Sequence, residues 1–438
     1  MKKFRIAIVG AGPAGYFAAQ AFQKNQTSDT HYLIDMIERL PTPWGLVRSG
    51  VAPDHPKIKN ISKVFEKIAQ KEGFELFANI EVGRDVAVKD LQEMYDAVII
   101  ATGAGVGKKL NITGENSPNC ISSLDFVSWY NGHPDFSNYD LNFNFETAVV
   151  IGAGNVALDV ARILLINPHN LQFTDIAEHA LEKLKLSKVK KVIICSRRGP
   201  EHVAFSGLEL KEIAKLDGLD IVINPIYIQE ARKRVSKSGE VDKDTEVILK
   251  TLEEISKSKA QLGKKCLEIR FLVSPVEINT QNTASKIFLT SNSIINDKIE
   301  SAKNKIVIST GLVISAIGYN VAEITGLEVE NGRYRNIAGH IRKNLYVTGW
   351  AKRGSIGVIG NNKSDSADVV DLIIKNLSMP KSKEGIRKLI RPQNIVINQD
   401  GWEKINATEV VSGELVGKPR NKIVNWAQLI DASKSNNI

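Results

Sequence analysis

The chain has 438 residues, 43% of them hydrophobic and 24% charged, which is long enough for two globular domains and ordinary in composition. Lysine and arginine outnumber aspartate and glutamate 58 to 49, and the net charge of +9 favours acidic partners or anionic cofactors without choosing among them. Three widely spaced cysteines, Cys120, Cys195 and Cys266, argue against a disulfide framework, a zinc cluster or a dithiol centre, and suit a reducing compartment.

The first element begins almost at once, in "RIAIVGAGPAGYFAAQAFQK", residues 5–24. Residues 6–9 form a short apolar run, as in a strand buried on both faces. Gly10, Gly12 and Gly15 then fit G-x-G-x-x-G, and Ala14, Phe17, Ala18, Ala21 and Phe22 follow at helical spacing. Strand, glycine turn and helix in this order suit a dinucleotide. The first glycine allows the turn, the second lets the backbone approach a pyrophosphate, and the third lets the helix pack close. The next predicted strand, residues 32–37, ends in Glu38, about twenty residues further on, where a carboxylate receives ribose hydroxyls.

"DAVIIATGA", residues 96–104, is a further apolar run closing in small residues, and the chain is expected to leave the first domain near residue 105. "TAVVIGAGNVALDVARILL", residues 147–165, repeats the glycine pattern with Gly152 and Gly154, and Ala157 in the third place. Two such loops imply two dinucleotides, most simply a flavin and a nicotinamide nucleotide, because one can reduce the other. Residues 167–188 read as an inserted helical segment. The strand "KKVIICS" then ends in Arg197 and Arg198, the position that Glu38 occupies in the first unit. An acid there repels a 2′-phosphate; two guanidiniums can fork onto one, so the second nucleotide is expected to be NADP rather than NAD. The alternative is a solvated basic pair.

"GLVISAIGY", residues 311–319, leads to a return crossing near 322, and residues 344–377 supply a last strand, a glycine-rich loop and a helix. A helix N-terminus near a flavin would stabilise the negative charge that develops on the ring during reduction. The fold class is α/β, with two Rossmann-like doubly wound domains. The NADP domain, 105–322, is inserted in an FAD domain made of 1–104 and 323–438. The N-terminus enters a strand within a few residues, and the longest apolar stretch, around residues 147–166, contains Gly152, Asn155, Asp159 and Arg162, so a cytosolic location without a membrane span is expected. Aromatic residues make up 6% and no nucleic-acid recognition motif occurs, which argues against nucleic-acid binding.

Several stretches together resemble the signature of the adrenodoxin reductases and their bacterial relatives, the FAD-containing NADPH–ferredoxin reductases. They are "PWGLVRSGVAPDHPKIKN", "NIEVGRD", "GNVALDVARILL", "SRRGP", "ISAIGY", "GWAKRGSIGVIG" and "GKPRNKIV", and they run from residue 6 to about residue 423. The resemblance implies that Ala14, Glu38, Leu46 and Val82 meet FAD, and that Trp350, Gly357, Val358 and Ile359 face its isoalloxazine. Asn155 and Val156 would meet the NADP pyrophosphate, Arg197 and Arg198 its 2′-phosphate, and Glu209 the adenosine ribose. Gly357 would also lie beside the nicotinamide. His55 and Asp159 would relay protons, the other reading being that His55 is a hydrogen-bonded turn residue.

The implied reaction passes a hydride from NADPH to FAD and then single electrons to an acidic ferredoxin-type iron–sulfur protein; a small acceptor such as a quinone is the alternative. Mammalian members dock their partner on clustered arginines. Here residues 231–254 hold Arg232, Lys233, Arg234 and Lys237, interspersed with acids including Glu240 and Glu246.

Overall fold

A computed structural model describes residues 1–238, 242–257, 264–281, 284–296, 298–380 and 383–435. Two sheets of six strands organise the chain. The first runs His340–Arg342, Leu345–Val347, Ala97–Ile100, Lys2–Val9, Thr30–Glu38, Phe74–Ala78, parallel except at its first strand. The second runs Cys120–Ser122, Leu312–Ser315, Thr147–Ile151, Lys191–Cys195, Lys265–Arg270, Leu219–Ile223, parallel throughout.

In each sheet the strand that opens a glycine loop lies inside, paired on both sides. That explains the unbroken apolar runs: Ile6, Ala7, Ile8 and Val9, and again Ala148, Val149, Val150 and Ile151, are buried. The helices after the loops, Pro13–Lys24 and Asn155–Leu165, lay their apolar positions on these strands.

The insertion is visible in the strand order, since everything from Cys120 to Ser315 belongs to the second sheet and its covering layers. The outgoing and returning segments lie side by side: Val106–Gly107 pairs antiparallel with Tyr319–Asn320. Residues 167–188 contain a turn of 3₁₀ helix, Pro168–Asn170, and the helix Glu178–Lys185.

One layer was not anticipated. An antiparallel meander, Val273–Gln281, Ala284–Ile295 and Ile306–Thr310, covers one face of the second sheet. Its Ile278, Ile287, Leu289 and Ile308 pack on Val149, Ile151, Ile193 and Val313. The alternation in "SKIFLTSN" is the trace this layer leaves in the sequence. Two C-terminal helices, Gln399–Glu414 and Trp426–Lys434, pack on the first unit through Trp402, Ile405 and Leu429.

Candidate nucleotide-binding and redox site

The three glycines of the first loop do different work. Gly10 sits at φ +109°, and a Cβ there would lie 2.5 Å from the carbonyl oxygen of Ala101. A Cβ on Gly15 would lie 2.1 Å from the Gly10 carbonyl oxygen, so helix and strand touch only because it is absent. At Gly12 the nearest atom to such a Cβ is the Cα of Gly45, 4.0 Å away. The fold needs the first and third glycines, whereas the space at the second is open. Gly12 also caps Pro13–Lys24 without a side-chain bond, so the first-turn amides are available to an anion.

Glu38 is aimed at this loop. Its Oε2 accepts the Ala11 amide at 2.8 Å and its Oε1 the Leu40 amide at 2.9 Å. Burial pushes the carboxyl up against the pull of these two bonds. Trp44, at φ +82°, donates its amide to the Ala11 oxygen at 2.7 Å, which seats Gly45 and then Leu46 beside Gly12. Val82 is buried in the cluster of Val9 and Ile37 at the strand ends. From the far end of the chain, Gly349 packs against Ala14, and Ser366 Oγ donates to the Ala14 oxygen at 2.9 Å.

The second loop repeats the geometry. Gly152 is at φ +128° with no room for a Cβ beside the Ala316 oxygen, while the space at Gly154 is open to 3.9 Å. Asn155 is partly engaged: its Oδ1 accepts the Ser206 amide at 2.8 Å, tying the loop after Arg198 to the glycine turn, with Val156 next to it half-buried. The backbone of Arg197 and Arg198 is pinned by Asn292 and Leu272, yet both side chains are exposed and unpaired among the described residues. Two free guanidiniums beside an open glycine loop fit a phosphorylated ribose.

Trp350 packs on Ala104, Leu124 and Tyr319, and its Nε1 donates to the Ile356 oxygen at 3.1 Å. The loop that follows is open and apolar, with Val358 61% exposed and Gly357 at φ +84°, and its Val358 amide donates to Asn361 Oδ1; Ile359 is half-buried. Asp365 fixes the base of this loop by accepting from the Gly349 amide, Lys352 and Arg353 at 2.7–2.8 Å.

His55 and Asp159 fall in one polar cluster, but its centre is a residue the sequence reading did not single out. Arg162, with a side chain only 4% exposed, donates to Asp159 at 2.7 Å and to Asp54 at 3.0 Å and lies 3.8 Å from Glu209. Ligating atoms of His55, Glu209 and Glu212 lie within 4.8 Å of one another. Burial holds the Asp159 carboxyl up at about 6, against the pull of Arg162. Glu209 Oε2 is buried with no hydrogen-bond partner among the described residues, an acceptor that a ribose hydroxyl would satisfy. The overlooked signal was an Asp–Arg pair three residues apart in an otherwise apolar helix.

The run at 231–237 is more neutral than its composition implies. Arg232 pairs with Glu246 and Glu253, Lys233 with Glu230, and Arg234 with Glu201. Glu240 lies outside the described residues.

A family model described as pyridine nucleotide-disulphide oxidoreductase matches residues 4–201. The chain is 41% identical over 456 residues to the NADPH-ferredoxin reductase FprA of Mycobacterium tuberculosis, covering 98% of this chain and 99% of that protein. It is 33% identical over 451 residues to the mitochondrial NADPH:adrenodoxin oxidoreductase of Homo sapiens, covering 97% and 91%. The solved structure of Mycobacterium tuberculosis FprA in complex with NADPH matches with a TM-score of 0.94 at 41% identity, over 99% of this chain and all of that one. With two glycine loops on two parallel sheets and similarity over almost its whole length, the chain belongs to the family of the NADPH–ferredoxin and NADPH:adrenodoxin reductases.

Proposed function

We propose that the chain is an NADPH–ferredoxin reductase that carries electrons through FAD to a ferredoxin-type iron–sulfur protein. The observation that carries this is the asymmetry of the two loops: Glu38 closes the first, and two unpaired arginines flank the second. FAD, when bound, takes two electrons together from NADPH and releases them singly to a one-electron acceptor.

The chain's own groups have separate tasks. Gly10, Gly12, Ala14, Gly15 and Glu38, with Leu46 and Val82, hold FAD. Gly152, Gly154, Asn155, Val156, Arg197, Arg198 and Glu209 hold NADP. Trp350 and the loop Gly357, Val358, Ile359 bound the space where the two rings meet and keep water out. Asp159, poised near neutrality by burial, and His55 in the same cluster are the groups placed to hold or move a proton there.

The FAD domain is taken as 1–104 with 323–438 and the NADP domain as 105–322. The iron–sulfur partner is taken to be acidic, on the strength of the +9 net charge rather than of residues 231–237, whose cations are largely paired. We place the protein in the cytosol, a reading supported by three free cysteines; among the described residues no helix is long and apolar enough to cross a membrane.

Rapid mixing with NADPH, then with ferredoxins from the same cell, tests the function. Flavin bleaching followed by ferredoxin reduction that slows as salt rises is expected. Transfer only to quinones would replace the partner, and absence of bleaching would overturn the reading. Acid precipitation should release FAD into the supernatant; flavin retained in the pellet would mean covalent attachment.

A further inference from the structure

The contact between the inserted unit and the rest of the chain is sorted by charge. Lys59 Nζ lies 2.6 Å from Asp175 Oδ1, and Lys422 Nζ 3.0 Å from its Oδ2. Lys418 pairs with Glu178 at 2.5 Å, and Arg39 with Asp135 at 2.7 Å. In all four pairs the anion belongs to the insertion and the cation to the flanking chain. The Arg162–Asp54 pair runs the other way, and it lies in the redox cluster itself.

Burial makes this more than a surface pattern. The side chain of Lys422 is fully buried, and those of Lys418 and Asp175 are 4% and 8% exposed. Lys59 and Lys422 converge on one carboxylate and one amide: both also donate to Asn131 Oδ1, and Lys422 to the Arg48 carbonyl oxygen. Burial drives the Lys422 ammonium toward neutrality, and Asp175 is the main group opposing it. Gly132 lets the strap approach, since a Cβ there would lie 2.9 Å from Val424. The strap 418–424 thus lies across the seam, gripping the insertion at Asp175 and Glu178 and the first unit through Arg420 and Glu409.

We propose that Asp175 is a positioning residue for hydride transfer: as the buried anchor of this clamp, it sets the angle between the two units and hence the approach of nicotinamide to flavin. The proposal rests on the function argued above. A displacement of about 1 Å between reacting groups can cost on the order of 100-fold in rate. Removing the carboxylate leaves two buried ammoniums with no anion between them, which the interface relieves by opening to water.

The test uses the FAD-loaded full chain. In Asp175→Asn, flavin reduction at saturating NADPH should fall about 10- to 100-fold. FAD content should hold, and the Kd for NADPH should change less than about threefold, because the nucleotide-binding arginines lie on another loop. Backbone amides near Gly132 and Ala177 should exchange hydrogen faster. Lys59→Met, which leaves Asp175 one cation, should shift rate and exchange the same way but less, and it serves if Asp175→Asn does not fold. An unchanged reduction rate in either folded variant, or equal losses of rate, nucleotide affinity and FAD content, would overturn the clamp. A wild-type protein whose flavin NADPH does not reduce would overturn the function instead.

Discussion

Replacing Arg198 by alanine tests the assignment of the second nucleotide. The backbone around Arg198 is held by groups that the substitution leaves intact: its carbonyl accepts from Ser196 Oγ at 3.0 Å and from the Leu272 amide at 3.3 Å. Among the described residues the guanidinium makes no ion pair, so its removal strands no buried charge. On the proposed assignment, what is lost is its bond to the 2′-phosphate. A charge-assisted hydrogen bond contributes roughly 1.5–3 kcal/mol, about 10- to 150-fold in affinity. The side chain is exposed, water competes with it, and the lower part of that range, about 10- to 30-fold, is expected. The assay is steady-state ferricyanide reduction at fixed ionic strength, with NADPH and NADH titrated separately. KM for NADPH should rise by that factor, with kcat, the NADH parameters and Tm nearly unchanged. Removing Arg197 as well should cost less than twice the single effect in free energy if, as proposed, both side chains grip one phosphate. Equal losses for NADH and NADPH, or a fall in Tm, would refute the reasoning and make the arginines structural.

The glycines of the first loop separate folding from binding. Gly15→Ala should disrupt the protein itself, whereas Gly12→Ala should leave the Tm of flavin-free protein near wild type and abolish stoichiometric FAD, as flavin-to-polypeptide ratios will show. Asp159 titrates at about 6 in the folded protein, so the native state binds its proton more tightly than the unfolded chain. Its contribution to stability is complete below about pH 4 and is lost as pH rises through about 6. Asp159→Asn should flatten that part of the Tm–pH curve, and an unaltered slope counts against the assignment. Glu409 lies fully buried between Arg48 and Arg420 at 2.5 and 3.1 Å. Burial works against its ionisation, but Arg48 and Arg420 hold the carboxyl below its ordinary range, so its stabilisation is present at neutral pH and lost on acidification. Glu409→Gln should cost about 3–5 kcal/mol by denaturant titration, and a loss below about 1 kcal/mol would show that the arginines find other partners.

Both glycine loops were legible in the sequence because their demands are local. A glycine at φ +109° or +128°, a helix starting immediately after an open glycine, and an acid or an arginine pair at the end of the next strand are all set by neighbours along the chain. The buried strands were legible for the same reason, as apolar runs bounded by small residues. The meander was missed because its period-2 pattern is short and the face it covers is defined only by the other sheet. The pairing of the basic run at 231–237 was not legible, because composition counts charges and cannot count their partners. By itself, then, the sequence located two glycine loops that each open a helix, and the acid or arginine pair at the end of the strand that follows each. The tertiary structure alone decided that Asp54, Asp159 and Glu209 gather round Arg162, and that Lys59 and Lys422, 363 positions apart, share Asp175. Such long-range pairs leave no periodic trace, because burial and distance, not spacing along the chain, give each charge its partner.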